Sequence, residues 1–303
     1  MCGVIDIGSN TIRLVIYKVK DKSITPMLNK KFSVGLASYI NGDKRLKPRG
    51  IDKVIEALTD FREILTNVKV NEIFPFATAS LRNISNSDEV VGEIKERTGF
   101  GVRILSGDEE ATFDYFGAVH SVSSDDGMVV DVGGGSTEVV FFENNRTFFS
   151  MSYPYGSLNL FNQYVESIIP TKKELDVMKD AVREALESSK LPAHKFACRK
   201  MLAVGGSARA VQKFLADTNA PGTDVSEYPA AMLGKLVDMI KKDSASFYKN
   251  ILKSSADRIH TFTPGLILLD EVAEYCGSQS VITSHYGVRE GYLYYLLKER
   301  GVL

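Results

Sequence analysis

The run Gly127-Met128-Val129-Val130-Asp131-Val132-Gly133-Gly134-Gly135-Ser136-Thr137-Glu138-Val139-Val140-Phe141-Phe142 sets two apolar segments on either side of three consecutive glycines, with a carboxylate at each edge of the turn. Met128 to Val130 is short and apolar, as a buried strand is, and Val139 to Phe142 is a second β-prone segment, so the glycines form a tight connection between strands. Glycine exposes its backbone N–H and tolerates positive φ. The turn can therefore wrap its amides around an anion, with the Ser136 and Thr137 hydroxyls as further donors. Asp131 and Glu138 cannot bind phosphate directly but can hold Mg²⁺ beside it. Taken alone, the stretch fits a plain glycine hairpin in which Asp131 makes a turn hydrogen bond equally well.

A second copy of the plan lies near the N-terminus. Val4-Ile5-Asp6-Ile7-Gly8-Ser9-Asn10-Thr11-Ile12-Arg13-Leu14-Val15-Ile16-Tyr17 again reads apolar strand, Asp-x-Gly, small polar residues, apolar strand, with Asp6 and Asp131 125 positions apart. One phosphate loop in each half of the chain points to a duplicated βββαβα domain closing on a nucleotide or phosphate.

Further motifs follow in order: Ala77-Thr78-Ala79-Ser80-Leu81-Arg82, Ser106-Gly107-Asp108-Glu109-Glu110-Ala111, Gly205-Gly206-Ser207, and Ser284-His285-Tyr286-Gly287-Val288-Arg289-Glu290-Gly291. Together with the two loops they resemble the exopolyphosphatase and guanosine pentaphosphate phosphatase family, in the family's order and over nearly the whole chain. The resemblance implies an α/β fold of two similar actin-like (ribonuclease H-like) domains with a cleft between them. The expected bounds are 1–118 plus 286–303 for the first domain and 119–285 for the second, a short two-domain form without further helical domains. At Tyr153-Pro154-Tyr155-Gly156-Ser157-Leu158-Asn159 the chain departs from the family, with Asn159 where a basic residue is common, which argues against a direct substrate contact there.

The chain has 303 residues, 44% hydrophobic and 25% charged, which suits about two globular domains rather than disorder. Lys and Arg number 37 against 38 Asp and Glu, giving a net charge of -1, so a broad basic surface for nucleic acid is not expected. Cys2, Cys198 and Cys276 are far apart and form no C-x-x-C pair, which fits neutral thiols in a reducing compartment. The chain runs straight into its first strand and has no stretch near the roughly 18 apolar residues of a membrane helix, so a cytoplasmic protein without membrane contact is expected. His120, His194, His260 and His285 form no ligand or triad pattern, and no serine nucleophile elbow is present.

In chain order, strands around Thr11 to Val19 and Ile24 to Phe32 lead to the polar connection Asn41 to Gly50, whose Lys44, Arg45, Lys47 and Arg49 suit either a solvated connector or a patch for a polyanion. Ile51 to Leu65 carries apolar residues at helical spacing. The strand Glu72 to Ala77 brings Arg82 to a sheet end, where a guanidinium suits a bidentate phosphate contact. Ser87 to Thr98 is a helix and Val102 to Leu105 a strand. Ser106 with Glu109 is a capping box, which occupies Glu109 and leaves Glu110 with no structural partner. In the second half, a third strand runs Arg146 to Tyr153. Thr171 with Glu174 caps a helix that buries Leu175, Met178, Val182 and Leu186. Helices at Ala230 to Lys241, Leu266 to Cys276 and Val288 to Glu299, and a strand at Ser280 to Thr283, complete the reading.

Carried onto this chain, the resemblance implies a phosphoric anhydride hydrolase releasing terminal orthophosphate from inorganic polyphosphate by Mg²⁺-assisted attack of water, with Mn²⁺ as the other candidate ion. The alternative substrate is guanosine pentaphosphate. A superfamily kinase and a non-catalytic nucleotide-binding module are the remaining readings, and a homodimer is a candidate assembly. Glu110 resembles the family's catalytic glutamate. Gly8, Ser9, Asn10, Arg82, Gly133, Gly134, Gly135, Ser136, Thr137, Gly205, Gly206 and Ser207 would bind phosphate, and Asp6, Asp131 and Glu138 would hold the metal.

Overall fold

The computed structural model describes residues 1–21, 23–70, 72–189, 191, 199–218 and 225–302. Cys198 and His194 lie outside them. The chain divides into two compact units, Met1–Glu110 with Tyr292–Leu303, and Ala111–Gly291.

The first unit opens with β1 (Cys2–Ile7), β2 (Thr11–Lys20) and β3 (Ser23–Ser33) as an antiparallel meander. Helix α1 (Pro48–Asn67) starts earlier than its apolar spacing suggested: Pro48 needs no amide partner in a first helical turn, so Pro48, Arg49 and Gly50 belong to the helix, not to the connection before it. β4 (Glu72–Ala77) then pairs parallel with β1, and α2 (Ala79–Arg82), α3 (Ser87–Thr98) and β5 (Arg103–Ile104) follow. The sheet order is β3-β2-β1-β4-β5. Ile5, Ile7, Ile12 and Leu14 on one face pack with Val54, Leu58 and Phe61 of α1 and Ile94 of α3.

Helix α4 (Gly107–Ser121) leads into the second unit. There β6 (Gly127–Val132), β7 (Thr137–Glu143) and β8 (Arg146–Tyr153) repeat the meander, with Asn144 and Asn145 at φ 51° and 59° in the two-residue turn. Helices α5 (Ser157–Tyr164) and α6 (Lys172–Ser188) precede β9 (Lys200–Val204) and α7 (Gly205–Thr218). β10 (Glu227–Pro229), α8 (Ala231–Lys242), α9 (Ser244–Ser255), α10 (Phe262–Tyr275), β11 (Ser280–Thr283) and α11 (Val288–Glu299) complete the chain. The order β10-β11-β9-β6-β7-β8 contains the first unit's arrangement with one antiparallel strand added at the edge. The duplication read from the two loops is thus present in strand order and direction.

Helix α6 buries the four residues its spacing picked out, Leu175, Met178, Val182 and Leu186, and carries the Thr171–Glu174 capping box. Helix α10 begins at Phe262, before the expected Leu266, because Phe262 joins the core against Phe214 and Phe247. Among the described residues no helix is long and apolar enough to cross a membrane, and Cys2 and Cys276 are buried and not joined in a disulfide.

Candidate functional site

In the first unit the turn from β1 to β2 is closed by the Gly8 N–H donating to the Thr11 carbonyl at 3.0 Å. The loop carbonyls are held from behind. Asn10 O accepts from Val34 and Gly35 N–H at 3.0 and 2.9 Å, and Ser9 O from Ala37 N–H at 3.4 Å. Asp6 sits directly across from Arg13 in the hairpin, so both side chains lie on one face of the sheet.

Arg82 does not follow directly on the strand as expected. It ends the single turn α2, because Thr78 turns the chain after β4. From there its Nη1 donates to the Leu105 carbonyl at 2.9 Å and to Glu110 Oε2 at 2.7 Å. This corrects the expectation that Glu110 lacks a structural partner. The ion pair is largely sheltered, with side-chain exposures of 20% and 9%. Glu109 behaves as its spacing required: its carboxylate accepts from Ser106 N–H at 2.9 Å while its own N–H donates to Ser106 Oγ at 3.1 Å. The Ser106 amide, aided by Arg103, holds the Glu109 carboxyl below the usual range.

The connection before α1 is less free than its charges suggested. Arg45 pairs with Glu89 at 2.7 Å, and the Asn86 side chain holds the backbone of Leu46 through both its amide oxygen and nitrogen.

The second unit repeats the loop. Gly133 N–H donates to the Ser136 carbonyl at 3.0 Å, the counterpart of the bond that closes the first loop. Here the start of α5 holds the carbonyls: Ser157 N–H reaches Gly133 O at 2.9 Å, and Leu158 and Asn159 N–H reach Gly134 O at 3.0 and 3.1 Å. Asn159 Nδ2 adds a bond to Gly135 O at 2.9 Å, so this side chain serves the loop itself. The approach requires Gly156, where a Cβ would lie 2.3 Å from the Gly134 carbonyl carbon. With the carbonyls occupied, the N–H groups of Asn10, Gly134 and Gly135 have no backbone acceptor among the described residues and are available to an anion.

Asp131 and Glu138 face each other across β6 and β7. Glu138 is 1% exposed and accepts from Ser152 Oγ at 2.7 Å. The Asp131 carboxylate rests on Gly205, whose φ is +87° and where a Cβ would fall 2.0 Å from Asp131 Oδ1. Two hydroxyls expected at phosphate are directed to backbone instead: Thr137 Oγ1 donates to the Tyr155 carbonyl at 2.6 Å and Ser207 Oγ to the Val132 carbonyl at 3.2 Å. Among the described residues no three His, Cys, Asp or Glu side chains cluster as a metal site.

Sequence reasoning missed two cations, Arg258 and Arg13. Arg258, in the short turn before α10, lies over Gly206, where a Cβ would meet its Nη2 at 1.9 Å. Burial pushes this guanidinium's pKa down, against the charges of Asp257 and Asp131. His260 follows, its ring edge-on to Phe161 at 5.4 Å between centroids and its pKa lowered by burial and then by Arg258. Nothing in the spacing marked Arg258. Arg13 was within reach, because hairpin register puts it where Glu138 stands in the second copy.

Sheet order, strand direction and paired loops define a two-unit α/β protein of the actin-like class. The family model of the Ppx/GppA phosphatase family matches residues 15–300, and the chain belongs to that family. Among solved structures, it is similar to an exopolyphosphatase from Cytophaga hutchinsonii (TM-score 0.88, 20% identity, 98% of each chain). It is likewise similar to the Aquifex aeolicus Ppx/GppA family member (TM-score 0.81, 23% identity, 99% of this chain and 98% of that one). A Haemophilus influenzae relative with a provisional exopolyphosphatase name is 24% identical over 97% of this chain and 90% of its own length. A guanosine-5'-triphosphate,3'-diphosphate pyrophosphatase from Photobacterium profundum is 26% identical over 97% of this chain, which spans 59% of that protein. The expected family, fold class and phosphoric anhydride hydrolase chemistry stand on these findings, with the two substrates unresolved between relatives.

Proposed function

We propose that the chain is an exopolyphosphatase, releasing terminal orthophosphate from inorganic polyphosphate by Mg²⁺-assisted attack of water. The observation that carries this reading is the common build of the two Asp-x-Gly loops: carbonyls held from behind, amides open, a carboxylate alongside. Loops of this kind bind phosphate oxygens through backbone donors without side-chain reorganisation.

Charge is the obstacle in phosphoryl transfer to water, since the transferring oxygens need donors on every side while the nucleophile is aligned behind phosphorus. The open amides, Asn10 in the first loop and Gly134 and Gly135 in the second, are assigned as donors, and Arg82 as a bidentate clamp. Glu110 is assigned to orient the water and accept its proton. In the resting protein the Arg82 guanidinium holds that carboxylate at 2.7 Å. A terminal phosphate competes for the same guanidinium, so substrate binding loosens Arg82 from Glu110 as the water arrives.

Mg²⁺ suits the residues present: it is commonly held by one or two carboxylates, with waters and substrate phosphates filling its shell. Asp131 and Glu138, which face each other across β6 and β7, supply such a pair, and Asp6 is the corresponding carboxylate of the first loop; Mn²⁺ is the other candidate ion. When bound, the ion neutralises phosphate charge and polarises the bond to be cleaved.

Guanosine pentaphosphate is the second reading. Arg258 over Gly206 favours it, as it offers a cation to a nucleotide, and the His260–Phe161 ring pair two residues further on offers an aromatic edge. Phosphate release by the Glu110→Gln variant tests the assignment: loss of turnover with retained polyphosphate binding supports it, and unchanged turnover overturns it.

A further inference from the structure

The two loops share a feature that lies behind the phosphate-facing groups. In the first unit, Ser80 Oγ, three residues past the end of β4, donates to the carbonyl of Ile7. In the second, Ser207 Oγ, three residues past the end of β9, donates to the carbonyl of Val132 at 3.2 Å. β4 and β9 are the parallel neighbours of β1 and β6, and Ile7 and Val132 are the middle residues of Asp6-Ile7-Gly8 and Asp131-Val132-Gly133. The serines are 2% and 3% exposed. Sequence around them differs, Thr-Ala-Ser in one copy and Gly-Gly-Ser in the other, yet the bond is the same.

We infer that Ser80 and Ser207 are a duplicated pair of positioning residues, not phosphate ligands, and that each fixes the peptide plane joining the aspartate's strand to its phosphate loop. The plane is pinned at both ends. Its carbonyl accepts the serine hydroxyl, and its N–H, that of Gly8 or Gly133, closes the loop onto Thr11 or Ser136 at 3.0 Å. Rotation of this one peptide would turn the loop amides relative to the carboxylate two residues before the glycine. The hydroxyl therefore couples carboxylate to amides in each loop. At Ser207 the arrangement is closely fitted, since a Cβ on Gly265 would lie 2.6 Å from its Oγ. A buried hydroxyl with its bond made to protein is also poorly placed to serve a solvated polyanion.

The inference rests on the phosphohydrolase reading of the loops, and the experiment separates the two. Ser80→Ala and Ser207→Ala each leave a buried carbonyl without its donor, a change worth about tenfold in kcat if loop geometry sets the rate. Deuterium exchange is followed in peptides covering residues 7–11 and 132–137, in parallel with kcat and KM for polyphosphate. Ser80→Ala is expected to speed exchange in the first peptide alone and Ser207→Ala in the second alone. In each, kcat should fall about tenfold and KM should stay within about twofold. Ser80→Thr, which keeps a hydroxyl, should restore kcat, and Ser207→Cys, a weak donor of similar size, should lie between. A raised KM at unchanged kcat would make the hydroxyls substrate ligands and overturn the inference. So would local exchange no faster than in the parent. If the parent itself releases no phosphate, the functional reading fails, while the exchange comparison still decides whether the serines hold the loops.

Discussion

Gly205→Ala tests whether the Asp131 carboxylate is held where the chemistry needs it. Two separate costs meet at this glycine. An L-residue at φ +87° is strained by about 1 to 2 kcal/mol, which in a unit of this size lowers Tm by about 2 to 8 °C. The new methyl would also stand 2.0 Å from Asp131 Oδ1, where ordinary contact begins at 3.4 Å, so the carboxylate must retreat by more than an ångström. A misplacement on that scale costs about 10²-fold in rate. Gly277→Ala isolates the first cost, since Gly277 has φ +67° and nothing within 4 Å of its would-be Cβ. Calorimetry and steady-state phosphate release on both variants read the two effects apart. Both should lose stability, and Gly205→Ala alone should lose about 10²-fold in kcat with a higher Mg²⁺ requirement. If Gly205→Ala falls no further in activity than Gly277→Ala, Asp131 does not act from this position.

Glu110→Gln should lower kcat by about 10²- to 10⁴-fold, the usual range for losing a general base, whereas Glu109→Gln should be mild because an amide still completes the capping box; exchange of these two phenotypes would reverse the assignment. Glu109 titrates below its ordinary value of 4.5 in the folded protein, so its contribution to stability is full above that pH and is lost as pH falls through the lowered value. Urea midpoints between pH 7 and pH 3 should therefore drop less steeply for Glu109→Gln than for the parent on the acid side. Neutralising Lys44, Arg45 and Lys47 together should raise KM for long polyphosphate with little change in kcat, and the effect should shrink with added salt. Since Arg45 is already paired with Glu89, Arg45→Ala alone should contribute least; equal losses on triphosphate and long chains would show that the loop acts through folding.

The fold was readable where a local signal and the final packing agree. The Asp-x-Gly copies announced the duplicated sheets, Thr171 and Glu174 marked the start of α6, and the apolar spacing of α6 named its buried face residue by residue. Boundaries slipped where a neighbouring element decided them, as when Phe262 extended α10 to join Phe214 and Phe247. The candidate site was readable in its loops and less so in its side-chain partners. Motif order gave Arg82 and Glu110 separate duties, but 28 residues separate them in sequence and only the fold brings them to 2.7 Å. Ser207 and Thr137 have the right chemistry for phosphate, yet strand ends offer them nearer carbonyls. Arg258 carries no periodic or motif signal, because its place over Gly206 depends on a turn between two helices.

Metal-assisted hydrolysis of polyphosphate ends is tested most directly by orthophosphate release from triphosphate, long-chain polyphosphate and guanosine pentaphosphate, each with Mg²⁺ and again in excess chelator. Release from polyphosphate should exceed release from guanosine pentaphosphate and be abolished by chelation. Release from none of the three, or turnover undiminished by chelator, would contradict it.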